Sequence, residues 1–232
     1  MRPNLYLLVL FLLSSSCNSN MKSYTVKKIK QTIEITGKGT DNTWQKANEL
    51  TDFSYPWRKE TAPQTSFKAL YNETHLYFLY RATDPDIITK ERGLGERDAV
   101  DSDRVEIFFK ANDEMNPYYA LEMDALGRVL DTEARFHRNI DYDWDWPEGQ
   151  LLLKASTDSK GYWVEGSISF QSLRQLGMYK DDNILKAGLY RGEYVTLPNG
   201  KVDTKWISWV MPDSEEPDFH IPSSFGILKL AK

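Results

Sequence analysis

From residue 25 to residue 230 the chain gathers Val, Ile, Phe and Tyr into short stretches separated by turn residues, and almost none keeps a helical period over three turns. That pattern restricts the fold to an all-β one. Candidate strands are 25–35, 66–71, 76–83, 104–110, 118–123, 128–136, 151–157, 162–170, 185–195, 204–210 and 226–230. Turn chemistry falls between them at 71–74 (Tyr-Asn-Glu-Thr), 125–127 (Ala-Leu-Gly), 158–161 (Asp-Ser-Lys-Gly) and Asn199-Gly200. Short helices are predicted only at 171–176 and 42–49.

Alternation shows which faces are covered. Val105, Ile107 and Phe109 share one face of their strand, and Arg104, Glu106 and Phe108 the other. Tyr162, Val164, Ile168 and Phe170 lie opposite Trp163, Glu165, Ser167 and Ser169 in the same way. One apolar and one mixed face predict two sheets packed face to face, an antiparallel β-sandwich of jelly-roll type in a single domain. A net charge of -5 argues against nucleic acid, which requires a basic face.

The first twenty residues, MRPNLYLLVLFLLSSSCNSN, carry one early Arg, an apolar run and then small residues before the one cysteine of the chain. The run is too short for a bilayer span, which needs roughly 20 apolar residues, and reads as a secretion signal. Cys17 resembles the lipidation site of a bacterial lipoprotein. The boundaries are then 1–16 for the signal peptide, 17–24 for a lipidated tether and 25–232 for the folded domain. Lipid would be the sole contact with a membrane, and the location the bacterial cell envelope, on the outer membrane or facing the periplasm; a cleaved, secreted chain is the alternative. No second cysteine exists for a disulfide or a thiolate metal site.

Six stretches occur in an order that resembles the family 9 carbohydrate-binding modules: "FKALYNETHLYFLYRATDPD", "DSDRVEIFF" with "YYALEMDALGRVLD", "GYWVEGSISFQSL", "AGLYRGEYV", "WISWVMP" and "FHIPSSFGILKL". The resemblance implies the β-sandwich already derived and noncatalytic binding of glucan or xylan chain ends between two aromatic rings, with structural calcium nearby. It matches Glu106 to the glutamate of the D-S-x-x-x-E stretch and Trp209, after Ser208, to a C-terminal tryptophan. The first sandwiching tryptophan has no counterpart in "GERDAVDSDRVE", and Gly192-Glu193 stand where the pattern has Asn after Arg.

Trp206 and Trp209 are three positions apart in one strand and so point to opposite faces. Each is a candidate sugar platform, and a core position is the alternative for Trp209. In "DYDWDWPEG", an extended chain would place Tyr142, Trp144 and Trp146 on one face and the aspartates on the other, with Trp144 the candidate ring; Trp146-Pro147 covering a sheet edge is the alternative. Trp57 is a further loop candidate, whereas Trp44 and Trp163 read as packing residues. Glu106, Glu122, Arg81 and Arg191 are the polar groups expected on a concave binding face, where an arginine fork suits vicinal hydroxyls or a uronate; for Arg191 a salt bridge to Glu106 or Glu122 is the alternative. Asp84, Asp86, Asp101 and Asp103 could hold the structural calcium that the resemblance suggests, or form solvated acidic loops. No other cofactor is required.

Nothing marks a catalytic pair. The three histidines lack metal spacing, no serine sits in a G-x-S-x-G elbow, and no glycine-rich phosphate loop follows a strand. The sequence therefore predicts a nonenzymatic domain that binds a poly- or oligosaccharide. An envelope interaction protein that has lost the sugar site is the second reading, and a glycoside hydrolase the third.

Overall fold

The computed structural model describes residues 21–232; the signal segment and Cys17 lie outside them. Among the described residues twelve strands are formed: β1 (Ser23–Lys28), β2 (Thr65–Tyr71), β3 (His75–Thr83), β4 (Arg104–Lys110), β5 (Tyr118–Asp124), β6 (Val129–Arg135), β7 (Asn139–Asp141), β8 (Leu151–Asp158), β9 (Gly161–Ser169), β10 (Ile184–Thr196), β11 (Val202–Ser208) and β12 (Gly226–Leu230). One α-helix, α1 (Phe170–Gln175), follows β9, its first turn capped by the Ser169 hydroxyl accepting from the Ser172 amide. Short 3-10 turns occupy Asn42–Lys46, Gly95–Asp101 and Pro222–Ser224.

The strands make a single curled sheet in the order β7-β6-β5-β4-β10-β12-β1-β2-β3-β9-β8, with β11 on the free side of β10. Its two halves face each other across one core. Phe67, Phe78, Tyr80 and Val164 from one half meet Val105, Ile107, Phe109 and Leu189 from the other, and the Tyr80 hydroxyl donates across the gap to the Glu106 carbonyl at 2.9 Å. The wholly antiparallel arrangement expected from the sequence is corrected at β1. This strand runs parallel to both neighbours, with Ser23 to Val26 against β12 and Lys27 and Lys28 against β2. It carries the sheet around the corner, so the sheet is mixed and continuous.

The predicted turns close through side-chain acceptors. Asn72 Oδ1 accepts from the amides of Thr74 and His75, Asp124 Oδ1 from Leu126 and Arg128, and Asn199 Oδ1 from Lys201. Each short polar side chain thus replaces a backbone partner and fixes the reversal.

The outward face of β4, β5 and β10 is also covered. Phe108, Tyr118 and Tyr190 form a second cluster under the C-terminal segment, with Phe219 and Phe225 from that segment. Phe219 stacks on Tyr190 at a centroid distance of 4.1 Å and 8° between planes. That stack holds residues 217–220 over the sheet, where they become one wall of a cleft.

Candidate functional site

The cleft starts from strand register. Arg104 on β4 is the partner of Gly192 on β10, which is the partner of Trp206 on β11, so arginine, glycine and tryptophan lie side by side on the outward face. A Cβ on Gly192 would stand 3.1 Å from an Arg104 guanidinium nitrogen and 3.2 Å from the Trp206 ring. Glycine leaves room for the guanidinium to cross and lie 5.2 Å from the Trp206 centroid. This accounts for Gly192 at a position where the resemblance led one to expect asparagine.

Arg104 is 3 % exposed, and its Nε lies 2.9 Å from Glu106 Oε1 and 2.7 Å from Glu122 Oε2. The two glutamates are partners across β4 and β5. Those three atoms are buried and make no well-aligned hydrogen bond. Burial raises the Glu106 carboxyl to about 8, with Arg104 opposing the rise and Glu122 adding to it. Burial works against the charge on Arg104 too, but Glu122 and Glu106 outweigh it and hold the guanidinium above its ordinary value.

The walls are Trp57, Trp206, Tyr142, Ile140 and Phe219, with Arg138, Asp218 and His220 at the rim, around a cavity of about 280 Å³. Trp57 packs on Phe219 at 5.5 Å and donates from Nε1 to the Ser214 carbonyl at 2.9 Å. Arg138 Nη2 donates to Asp218 Oδ1 at 2.9 Å, and His137 Nε2 pairs with Asp218 Oδ2 at 2.6 Å. Burial alone would raise Asp218, but bonds from His137, the His220 amide and Arg138 bring it below its ordinary value. Burial lowers His220 to about 4, with Arg138 adding to the effect, so its ring is neutral at pH 7; Nδ1 shares a hydrogen bond with the Tyr118 hydroxyl at 2.9 Å. An adjoining cleft of about 490 Å³ shares Trp57, Trp206 and Pro217.

Of the residues expected from the sequence, Trp206, Trp57, Glu106 and Glu122 come together here. Trp209 does not: it is 2 % exposed and belongs to the main core. Arg191 is fully buried at one end of the sandwich, bonded to Asp84 Oδ2 at 3.0 Å and close to Glu193; the arginine that pairs with Glu106 and Glu122 is Arg104. Arg81 lies on the opposite half of the sheet, on β3, against Trp163 and Asp158. Trp144 is partly buried against Tyr119 and Trp146 at the core. The chain turns after β7 instead of running on extended, which sends Tyr142 into the cleft, 48 % exposed beneath Arg97, and the tryptophans inward. Tyr142, Arg104, Arg138 and Asp218, with Ile140, Phe219 and His220, line the cleft without having been assigned to a site from the sequence. Arg104 alternates with Glu106 on a mixed face, and that was the available signal.

Among the described residues the four aspartates suggested for calcium do not bring three carboxylate oxygens together. Asp84 is bound to Arg191 and Asp101 pairs with Arg92, while both Asp103 oxygens accept backbone amides, from Ile88 and Tyr194. Among the described residues, the carboxylates whose oxygens converge are Glu96, Asp131 and Asp145, none of them in that set.

The buried acids make stability depend on pH. Burial and Asp84 raise Asp103 to about 7 against 3.8 for the free side chain, and Glu106 stands at about 8 against 4.5. In the folded state these groups keep protons that the unfolded chain has released, so stability falls as pH rises towards 8. His220, at about 4 when folded and 6.5 when free, acts in the opposite direction but only below pH 6.5. Between pH 6.5 and 8 the unfolding free energy should therefore decrease by about 1 to 3 kcal/mol. Urea titrations at the two pH values measure it, and Glu106→Gln should flatten the slope; an equal slope in that variant would refute the assignment.

With this geometry established, the relatives are informative. The family model described as carbohydrate family 9 binding domain-like matches residues 35–232. None of the curated proteins compared matches the chain. Among solved structures, the fold is similar to that of a candidate carbohydrate-binding protein from Bacteroides uniformis, with a TM-score of 0.67 and 16% identity over 91% of this chain and 100% of that one. It is also similar to a family 9 carbohydrate-binding module from Caldicellulosiruptor kristjanssonii. The glucose complex of that module gives a TM-score of 0.58 and 17% identity over 90% of this chain and 96% of that one. Its cellotriose complex gives 0.59 and 16% over 90% and 93%. Matched over most of its length, the chain belongs to the carbohydrate family 9 binding domain-like family.

Proposed function

We propose that the domain binds, without chemical conversion, a saccharide of one or a few pyranose rings in the cleft formed by Trp57, Trp206, Tyr142 and Phe219. The observation that carries this is the Arg104 guanidinium held against Trp206 with Glu106 and Glu122 beside it. Ring faces take the C–H side of a pyranose, and the ion cluster takes its hydroxyls. The cavity, about 280 Å³, lies at the lower end of the roughly 300–1,000 Å³ of ligand clefts in general. Family membership and the glucose and cellotriose complexes of the Caldicellulosiruptor module support the same reading, with glucan- or xylan-like chains as the class to test.

Catalysis is disfavoured by the position of the acids. Glu106 and Glu122 are held to the same arginine nitrogen, so they sit side by side, whereas glycoside hydrolysis needs carboxyls on either side of the scissile bond. The proposal includes display at the bacterial cell envelope through acyl chains on Cys17. Fatty-acid labelling lost in Cys17→Ala would support that part, and labelling retained in the variant would refute it.

Calorimetric titration with cello- and xylo-oligosaccharides tests the binding site. Affinity in the micromolar to millimolar range is expected, about 4 to 8 kcal/mol. Trp206→Ala should weaken it by about tenfold or more while the protein stays folded, because one ring face is lost. Unchanged affinity in a folded Trp206→Ala variant would place the ligand elsewhere.

A further inference from the structure

The opposite outer face of the molecule carries a cleft that the proposed site does not use. Phe78, Tyr80 and Ala82 of β3 point into the core, so Leu79, Arg81 and Thr83 point outward. With Lys68 of β2 and Trp163 of β9 they line an open cavity of about 580 Å³. The aromatic cleft faces away from the core on β4 and β10, in the other half of the sheet, so the two are separate.

Arg81 is the partner of Trp163 across β3 and β9, and its guanidinium lies 4.7 Å from the indole centroid. One amine, Nη2, donates to Asp158 Oδ1 at 2.7 Å. The other, Nη1, is buried and makes no hydrogen bond within the protein. A buried guanidinium N–H without an acceptor carries a desolvation penalty, and a small turn of the Arg81 side chain into the cavity would let an anionic oxygen remove it. Lys160 and Lys68 add positive charge to the same cavity, Lys68 being only loosely paired with Glu49 at 3.6 Å.

We infer that this face is a second ligand site, for a sugar bearing a carboxylate, the uronate unit of an acidic oligosaccharide. The Trp163 ring at 4.7 Å and the bond to Asp158 hold the guanidinium in place in advance, which suits carboxylate recognition. The partly buried Trp163 ring offers apolar surface beside it, and Ser66, Thr83 and Ser159 offer hydroxyls within the same cavity, the mixture that a hydroxylated ring requires. A phosphate would need several free cationic donors converging on one point. Here Nη2 of Arg81 is engaged by Asp158, and the Glu49 carboxylate also lines the cavity, so a single negative charge is the better match.

Titration of the protein with trigalacturonate, cellotriose and inorganic phosphate in parallel tests the inference. Trigalacturonate should bind, more weakly as salt is added. Arg81→Gln should reduce that affinity by about tenfold or more, the loss of a charge-assisted bond, and should leave cellotriose binding unchanged. Lys160→Glu, on an exposed turn, should also weaken trigalacturonate, and it decides the matter if Arg81→Gln fails to fold by circular dichroism. Trp206→Ala should leave trigalacturonate binding intact. The inference is overturned if trigalacturonate gives no heat, if Trp206→Ala abolishes its binding, if neither Arg81→Gln nor Lys160→Glu alters it, or if phosphate competes for the site with equal affinity. The cellotriose arm reports on the aromatic cleft alone, so failure of one site is distinguishable from failure of the other.

Discussion

Trp209→Ala is expected to destabilise the protein by about 3 to 5 kcal/mol, the range for emptying a large aromatic site in a packed core. Trp209 is 2 % exposed, and its backbone N–H donates to the Leu189 carbonyl at 3.1 Å. The ring is seated against Gly226, where a Cβ would approach two of its carbons to 2.7 Å. Only glycine permits that contact, so the first residue of β12 and the indole form one packing unit between β12 and β10. Thermal or urea unfolding measures the loss. A Trp209→Ala variant within 1 kcal/mol of the parent, and impaired in saccharide binding, would return this ring to the binding site and overturn the division of roles between Trp209 and Trp206.

Arg191→Met should cost a similar amount, about 3 to 5 kcal/mol, through charge instead of volume. Arg191 extends from β10 to the other half of the sandwich. There Nη1 donates to Thr65 Oγ1 at 3.3 Å and to the Thr83 carbonyl at 3.2 Å, and Nη2 to Asp84 Oδ2 at 3.0 Å. The Tyr55 hydroxyl donates to Glu193 on the far side of the cluster. Removing the cation leaves Asp84 and Glu193 buried without a countercharge, and Asp103 close by. The double change Arg191→Met and Asp84→Leu should recover part of the loss, since replacing a whole buried pair costs less than removing one partner. No recovery would mean that the hydrogen bonds to Thr65 and Thr83 dominate.

Much of the fold was legible because alternation is a local property. Inward Val105, Ile107 and Phe109 and outward Arg104, Glu106 and Phe108 follow directly from parity along a strand. The first predicted strand runs too far, to residue 35, because Ile29, Ile33 and Ile35 continue an apolar pattern. They pack with Trp44 in a separate cluster beyond the end of β1, where the loop 36–39 places four amides around Glu165 Oε2. β7 is too short to show a pattern.

The site was only half legible. Parity separates Trp206 from Trp209, but it does not reveal which face a later segment will cover. Residues 217–220 cover part of the outward face and leave a cleft beside Trp206. Arg191 illustrates the same gap: its strand shows a charge on the core-facing side, and only the spatial neighbours Asp84 and Glu193 explain how that charge is tolerated.

The parallel pairing of β1 also separates two boundaries that are easily equated. The family match begins at residue 35, yet β1 ends at Lys28 and lies between β12 and β2. A chain trimmed to the family boundary would lack the strand that joins the two halves of the sheet, and β12 and β2 would each present an unpaired backbone edge of the kind that recruits strands from other molecules. The boundary of the family match is thus not a boundary of the sheet. It leaves out the six residues of β1 and residues 29–34 that follow them.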